Sequence, residues 1–262
     1  CPPDCRECAQ ICPTNAVDLD QQAEEKTIKA GAVVVTTGWD MYPLSKVEEY
    51  GYGTYPNVIT SLEMEDVLAN PPRNKSYGFI QCAGSRDERH LEYCSSVCCM
   101  HAAKQAVLTR SHDPDAQTVI YFMDIRAHGK GFDDYIERAR HDHGVRYQRS
   151  MISQVYLNTE NENLIIETFD HHLNRKVEQE YDLVVLSSGF KPSRGSSALV
   201  KRLGLTTNPF GFLTADFDEP VSTSRAGIFV CGGFEAPKDI PETVIQAGAA
   251  AAHGLFRVEG LE

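Results

Sequence analysis

Eight of the nine cysteines fall into two tight groups of four. Cys1, Cys5, Cys8 and Cys12 lie in the run CPPDCRECAQICP, and Cys82, Cys94, Cys98 and Cys99 lie in QCAGSRDERHLEYCSSVCC. A 4Fe–4S cube takes one thiolate on each iron, so two sets of four thiols match two such clusters. Any fold for this chain has to bring each set together, and electron transfer is the first function expected of it.

The first group is spaced C-x3-C-x2-C-x3-C-P, one residue longer in its first gap than the bacterial ferredoxin run. Short gaps let a turning backbone point successive sulfurs at one cluster, and Pro13 then turns the chain away. No second ferredoxin run exists, so Cys12 either completes this cube or serves a cluster with other ligands outside the chain. Four close thiolates also suit tetrahedral zinc, which stands as the alternative. A disulfide framework fits poorly, because the chain is large for that class and no signal-peptide pattern opens it.

In the second group, Cys82 follows the apolar run Tyr77–Ile80, which reads as a strand. Cys94, Cys98 and Cys99 open a segment that reads as a helix with Ala102, Ala103, Ala106 and Val107 toward a core. Cys94 and Cys98, four apart, would share one face of that helix. A lone thiol is most often a small buried hydrophobe, but four within eighteen residues weaken that explanation. A redox-active vicinal disulfide at Cys98 and Cys99 is a further alternative.

At 262 residues the chain can hold one large or two small domains. Hydrophobic residues make up 42%, with no apolar span long enough for a transmembrane helix. The formal charge of −12 argues against non-specific binding to nucleic acid or an anionic membrane. Free-thiol chemistry of this kind belongs in a reducing cytosol. The chain opens on a cluster ligand, which leads us to expect a fragment of something longer.

Further along, the pattern is α/β. Ala32–Thr36 is a continuous apolar run, as in a strand buried on both faces of a parallel sheet. It ends in Thr37 and Gly38, where small residues permit close approach. Val184–Gly189 repeats that pattern. Between them, Gly78–Gln81, the cysteine helix and Thr118–Met123 form a strand–helix–strand unit ending at Asp124. An acid there reads a ribose hydroxyl in dinucleotide-binding folds. The first turn, however, is CAGSRDE rather than G-x-G-x-x-G, so Asp124 reads as structural and NAD binding is disfavoured. A helix is expected over Phe132–His141 and a strand over Arg146–Tyr156. Leu164–Thr168 and Val177–Tyr181 read as a hairpin. Near the C-terminus, GIFVCGG is a strand breaking into Gly232 and Gly233, followed by a small-residue helix over Glu242–His253. That turn offers backbone N–H groups to an anion or a polar cofactor edge, or is an ordinary crossover.

The strings FIQCAGSRDE…YCSSVCCMHAAKQA, YFMDIRAHGKGFDDY and GIFVCGG…PKDIPETVIQAGAAAA resemble the A-type flavoprotein component of heterodisulfide reductases. The opening cysteine run and KAGAVVVTTGWDMYP are also similar to the corresponding A-type component of the quinone-interacting membrane-bound oxidoreductase (Qmo), the nearer likeness. The resemblance covers almost the whole chain. It implies a thioredoxin-reductase-like flavoprotein fold of two dinucleotide domains, with a ferredoxin-like cluster insertion. It implies FAD and 4Fe–4S clusters as cofactors, and other subunits of an electron-transfer complex as partners. Membrane contact would come only through such a partner, and a homodimer is a further expectation. Within the fold, Thr37, Gly38, Gly189, Gly232 and Gly233 would line the flavin site. Lys238 and the helix start at Ile240–Thr243 would lie near the isoalloxazine ring. The second cysteine group matches the family's non-ferredoxin cluster motif.

The implied division is a ferredoxin-like segment over 1–20 and part of an FAD domain over 21–73. A cluster-bearing NAD(P)-like domain follows over 74–182, and the rest of the FAD domain over 183–262. One departure is clear: the glycine-rich pyrophosphate loop of the FAD half is missing, and Gly51-Tyr52-Gly53 does not replace it. The expected function is electron relay between FAD and the clusters. A pyridine-nucleotide-dependent disulfide oxidoreductase and a zinc scaffold are the alternatives. No acid–base pair is assigned, since His112, His141, His143, His171 and His172 fall in polar segments, while His101 could tune a cluster.

Overall fold

The structure, a computed structural model, describes residues 4–170 and 174–260. Cys1, His171 and His172 lie outside them. The chain divides into two units, residues 1–31 and 32–262.

The first unit carries one short helix, α1 (Glu7–Ile11), which buries no side chain. Its turns are fixed by polar contacts instead, with Arg6 donating to both carboxylate oxygens of Asp20 at 3.0 and 2.9 Å.

The second unit begins with strands β1 (Val33–Val35), β2 (Trp39–Met41) and β3 (Val58–Thr60), then helix α2 (Glu63–Ala69). Strand β4 (Ser76–Ala83), helix α3 (Cys98–His112) and strand β5 (Gln117–Phe122) follow, then α4 (Phe132–His141) and β6 (Arg146–Arg149). Strands β7 (Ile152–Leu157), β8 (Leu164–Asp170) and β9 (Arg175–Tyr181) lead to β10 (Leu183–Ser188) and β11 (Phe190–Pro192). Helix α5 (Ser196–Leu203), strand β12 (Ile228–Val230) and helix α6 (Ile240–Glu259) complete it.

Five strands pair in parallel in the order β3-β10-β4-β5-β6. Period-two alternation in β4 gives each face its own core. Tyr77 and Phe79 pack with Met64, Ala102, Ala106 and Ala139 of the helices, while Ile80 packs with Leu164, Ile166 and Tyr181. The latter belong to an antiparallel sheet, β7-β8-β9, laid over the other face. It lies so close that a Cβ at Gly78 would stand 2.6 Å from Ile166 Cδ1. The sequence boundaries at 73 and 182 are bridged by the parallel sheet, since β3, β10 and β4 pair side by side.

Three sequence expectations need correction. The run expected as one strand over Arg146–Tyr156 breaks at Ser150 and Met151, with β6 in the parallel sheet and β7 in the antiparallel one. The run at Ala32–Thr36 is not buried on both faces: β1 pairs only with β12 among the described residues, and Val33 and Val34 are 42% and 40% exposed. Val35 enters a core with Leu213, Val230 and Phe234, and Ala32 packs against the edge of another. Third, α3 starts at Cys98, so Cys94 lies in the preceding loop and shares no helical face with it. The hairpin and the β4-α3-β5 unit form as expected.

Asp182 ties the starts of the two central strands. Its carboxylate accepts from the Ser76 N–H and hydroxyl, both at 2.8 Å, and from Lys75 Nζ at 2.7 Å. Partial burial pushes its carboxyl up, but the Lys75 and Ser76 hydrogen bonds outweigh that and hold it below its ordinary value. A depressed folded value stabilises the protein fully above the unfolded aspartate value of about 3.9, and the benefit is lost as pH falls through the folded value. Asp182→Ala should therefore cost about 1–3 kcal/mol at neutral pH. In urea unfolding at a series of pH values, its deficit should narrow below about pH 4.

Candidate functional site

Cys82, Cys98 and Cys99 of the second cysteine group meet where β4 ends, and Cys94 lies in the loop before α3. Against β10, Ile80 pairs with Leu186 and Ala83 with Ser188, so β4 holds one extra residue between the two pairs. This bulge turns Cys82 into left-handed backbone, φ 59°, and a bulge of this kind re-aims a side chain. The loop beyond it closes on itself. Arg86 N–H donates to the Tyr93 carbonyl at 3.1 Å and Asp87 N–H to that of Leu91 at 3.0 Å, which brings Cys94 back toward Cys82. Arg86 and Ser96 are also left-handed, at φ 56° and 63°. Such strain in residues other than glycine gathers at functional sites.

Cys98 lies in the first turn of α3, where its side chain interacts with those of Cys82 and Cys99. Interaction with Cys82 and Cys99, with burial, pushes the Cys98 thiol up, while the Cys98 side chain draws the Cys82 and Cys99 thiols down against their own burial. Cys99 Sγ accepts the Arg126 N–H at 3.4 Å, and Cys94 Sγ accepts the Ser96 N–H at 3.3 Å. All four thiols are free. As placed, no group of three or more His, Cys, Asp or Glu side chains among the described residues would hold a single metal ion. A cube carries one thiolate per iron and so spreads its ligands over four metals. Five buried polar atoms around these cysteines have no partner: both amide atoms of Gln81, Ser85 Oγ, Arg86 Nη1 and Ser95 Oγ. Such atoms are costly to leave unpaired. Four of the five, all but Gln81 Oε1, can donate, and donors beside these thiols suit the sulfides of an iron–sulfur cluster.

In the first unit, Cys8 lies on α1 and Cys12 follows it. Cys12 Sγ accepts the Ala16 N–H at 3.3 Å and lies 3.6 Å from Thr14 Oγ1. The Thr14 hydrogen bond, then backbone N–H groups, lower its thiol to about 7. Cys5, Cys8 and Cys12 thus stand on one short turn-and-helix segment.

The flavin-side residues meet at an apolar cleft of about 660 Å3, within the usual range for small-molecule sites. Lys238, Ile240 and Thr243 line it. Its other walls are Trp39 and Phe190, stacked 3.5 Å apart, and Val97 and Met100 at the start of the cysteine helix. The sequence reading missed these four, although Trp39 is the single tryptophan and directly follows Gly38. Gly38, Gly189, Gly232 and Gly233 adjoin wall residues without lining the cleft, and Thr37, expected with them, is exposed and does not line it either. Gly38 precedes Trp39, and Gly189 precedes Phe190 while packing against Gly84 and Ser85. Gly232 N–H donates to Gln246 Oε1 at 2.7 Å, which also accepts from Lys238 Nζ at 2.7 Å. Lys238 also pairs with Glu235. The expected anion-binding helix start is closed by a capping box, with Glu242 N–H donating to Asp239 Oδ1 at 2.8 Å and Glu242 Oε2 accepting the Asp239 N–H at 2.9 Å. His101, on the same wall, lies 2.8 Å from Glu65 Oε1.

A flat apolar slot with one sheltered lysine suits an isoalloxazine ring. For the ADP end, the described residues supply no glycine-rich strand–loop–helix start.

Comparison with known proteins matches this architecture. Residues 93–251 match the pyridine nucleotide-disulphide oxidoreductase family, and the chain belongs to it. The resemblance to heterodisulfide reductases is borne out by relatives that carry the name. The A-type iron-sulfur component of CoB–CoM heterodisulfide reductase from Methanocaldococcus jannaschii is 40% identical over 97% of this chain and 42% of its own length. One of the same enzyme's A-type components from Methanopyrus kandleri is 41% identical over 91% of this chain and 39% of its own. The chain thus spans about two-fifths of these relatives. A thioredoxin reductase from T. acidophilum superposes with a TM-score of 0.59 at 14% identity, covering 88% of this chain and 66% of that one. The thioredoxin-reductase-like fold and the oxidoreductase class expected from the sequence are borne out.

A Cβ at Gly233 would overlap Trp39 Cδ1. Gly233→Ala should push Trp39 off Phe190 and change the protein's tryptophan emission with secondary structure intact. Gly38→Ala, whose added Cβ meets nothing within 4 Å, should cost stability through its φ of +69° with a smaller emission change. Fluorescence and circular dichroism of the two variants check this.

Proposed function

We propose that this chain is an electron-relay module of a heterodisulfide-reductase-type flavoprotein, with a flavin ring in the Trp39–Phe190 cleft and two 4Fe–4S clusters on the two cysteine groups. One observation carries the reading: the wall of the flavin-side cleft and the cluster cysteines share a helix start, since Val97 faces the cleft and Cys98 follows it. When bound, a flavin handles electron pairs and each cluster a single electron, so together they split or merge pairs.

The chain's own residues fix where this happens. Trp39 and Phe190 give the slot a stacked aromatic wall. Lys238, only 11% exposed and held by Glu235 and Gln246, keeps a cation facing it. The bulge at Cys82 and the Arg126 N–H on Cys99 set the thiolates before any metal arrives. The nucleotide alternative fares worse, because Asp124 is engaged by Arg86 and Arg149 rather than free for a ribose. The narrower likeness to the Qmo component belongs to this proposal, as do partner subunits, a homodimer and a reducing cytosolic setting. No described helix is long and apolar enough to cross a membrane.

Anaerobically purified protein should contain about eight irons and eight sulfides per chain. Cys94→Ser and Cys8→Ser should each remove about four irons and one signal from the EPR spectrum after dithionite reduction. Flavin absorbance should accompany the iron. Stoichiometric zinc without sulfide would support the scaffold reading instead.

A further inference from the structure

Arg86 has more structure around it than cluster ligation requires. Its backbone is left-handed, φ 56°, and its side chain is 18% exposed. One guanidinium nitrogen, Nη2, donates to Asp124 Oδ2 at 2.8 Å, while Nη1 is buried with no partner. Asp124 is held in turn, with Arg149 Nη2 donating to its Oδ1 at 3.4 Å and Arg149 Nε to the Met123 carbonyl at 2.9 Å. Arg86 and Cys82 line the same small cavity at the end of β4. The Cys99 thiol, 3.9 Å from the Asp124 carbonyl, lies on the other side of the same turn.

The acid at the end of β5 occupies the place where a dinucleotide fold reads a ribose. Here its carboxylate is spent on orienting an arginine toward a cysteine. The pair is electrostatically lopsided: Asp124 is 49% exposed and screened by water, whereas Arg86 is mostly enclosed. A positive charge fixed in a low-dielectric setting favours whichever cluster state is more negative, which is the reduced one. The unpartnered Nη1 is also a free donor toward sulfur, and hydrogen bonds to the sulfurs set cluster potentials.

We propose that Arg86, oriented by Asp124, is a positioning residue that raises the reduction potential of the cluster carried by Cys82, Cys94, Cys98 and Cys99. The inference rests on the cluster reading above. It makes the potential of this cluster depend on a side chain that is not a ligand.

The test is an EPR-monitored redox titration of the whole protein, with iron and sulfide counted first. Arg86→Gln should lower the reduced-to-oxidised ratio of one cluster about tenfold at fixed poise, equivalent to about 59 mV for one electron, and leave the other cluster unmoved. Arg86→Lys should restore part of the shift. Asp124→Asn discriminates by sign. Loss of its charge alone would raise the potential, while loss of its hold on Arg86 lowers it, and a lower value is expected. Arg89→Gln removes a charge from the same loop where the side chain is 68% exposed and should move the potential little. Equal shifts in Arg86→Gln and Arg89→Gln, or a raised potential in Asp124→Asn, would overturn the proposal. If Arg86→Gln fails to assemble its cluster, Arg86→Lys and Asp124→Asn decide. Parent protein without this cluster would instead overturn the reading on which the inference rests.

Discussion

One inserted residue in β4 governs the arrangement of the cysteine site. Were the strand to run evenly to Ala83, Cys82 would alternate like its neighbours and face one of the two cores. The bulge opposite Leu186 and Ser188 takes it out of that alternation and gives it a left-handed backbone. The loop closure from Arg86 to Tyr93 then works from that new direction, returning the chain to Cys94 and to the first turn of α3. The strain at Cys82, Arg86 and Ser96 persists because firm packing surrounds it. Tyr77 and Phe79 lock β4 from the helix side, and Ile80 locks it from the antiparallel sheet.

The same sheet puts two kinds of environment side by side. At the ends of β4 and β5 the lining is polar and charged, with arginines, acids and unpartnered hydroxyl and amide groups. A short step away, the cleft between α3 and α6 is aromatic and aliphatic. One helix start touches both, through Val97 on the apolar side and Cys98 and Cys99 on the thiol side. This adjacency separates the arrangement from a simple cysteine cage.

Much of this was legible in the sequence for a plain physical reason: spacing reports the ligand set, and apolar runs report buried strands. The cysteine grouping, the β4-α3-β5 unit and the β8–β9 hairpin could all be read that way. What escaped were features decided by backbone angles and by partners far along the chain. A left-handed Ser96 removes Cys94 from the helix, although the spacing from Cys94 to Cys98 fits one turn. Ser150 and Met151 carry no strong breaker, so the transfer from β6 to β7 between sheets left no mark. Trp39 and Phe190 lie 151 positions apart and meet only because β2 and β11 pair, Trp39 opposite Pro192. Asp124 was visible as an acid at a strand end, but its engagement by Arg86 and Arg149 depends on loops whose course the sequence does not declare.

The capping box at Asp239 and Glu242 has a directional consequence. A helix start is usually a welcome place for phosphate, yet here its donors are satisfied internally and two carboxylates stand in front of them. Beside them, Ile240, Val244 and Ile245 are exposed, at 79%, 64% and 74%. A molecule with one flat oily end and one anionic end therefore meets a polarity gradient at this doorway. The two carboxylates disfavour an anionic group beside the start of α6, whereas the cations of the cleft, Lys104 and Lys238, stand along its walls.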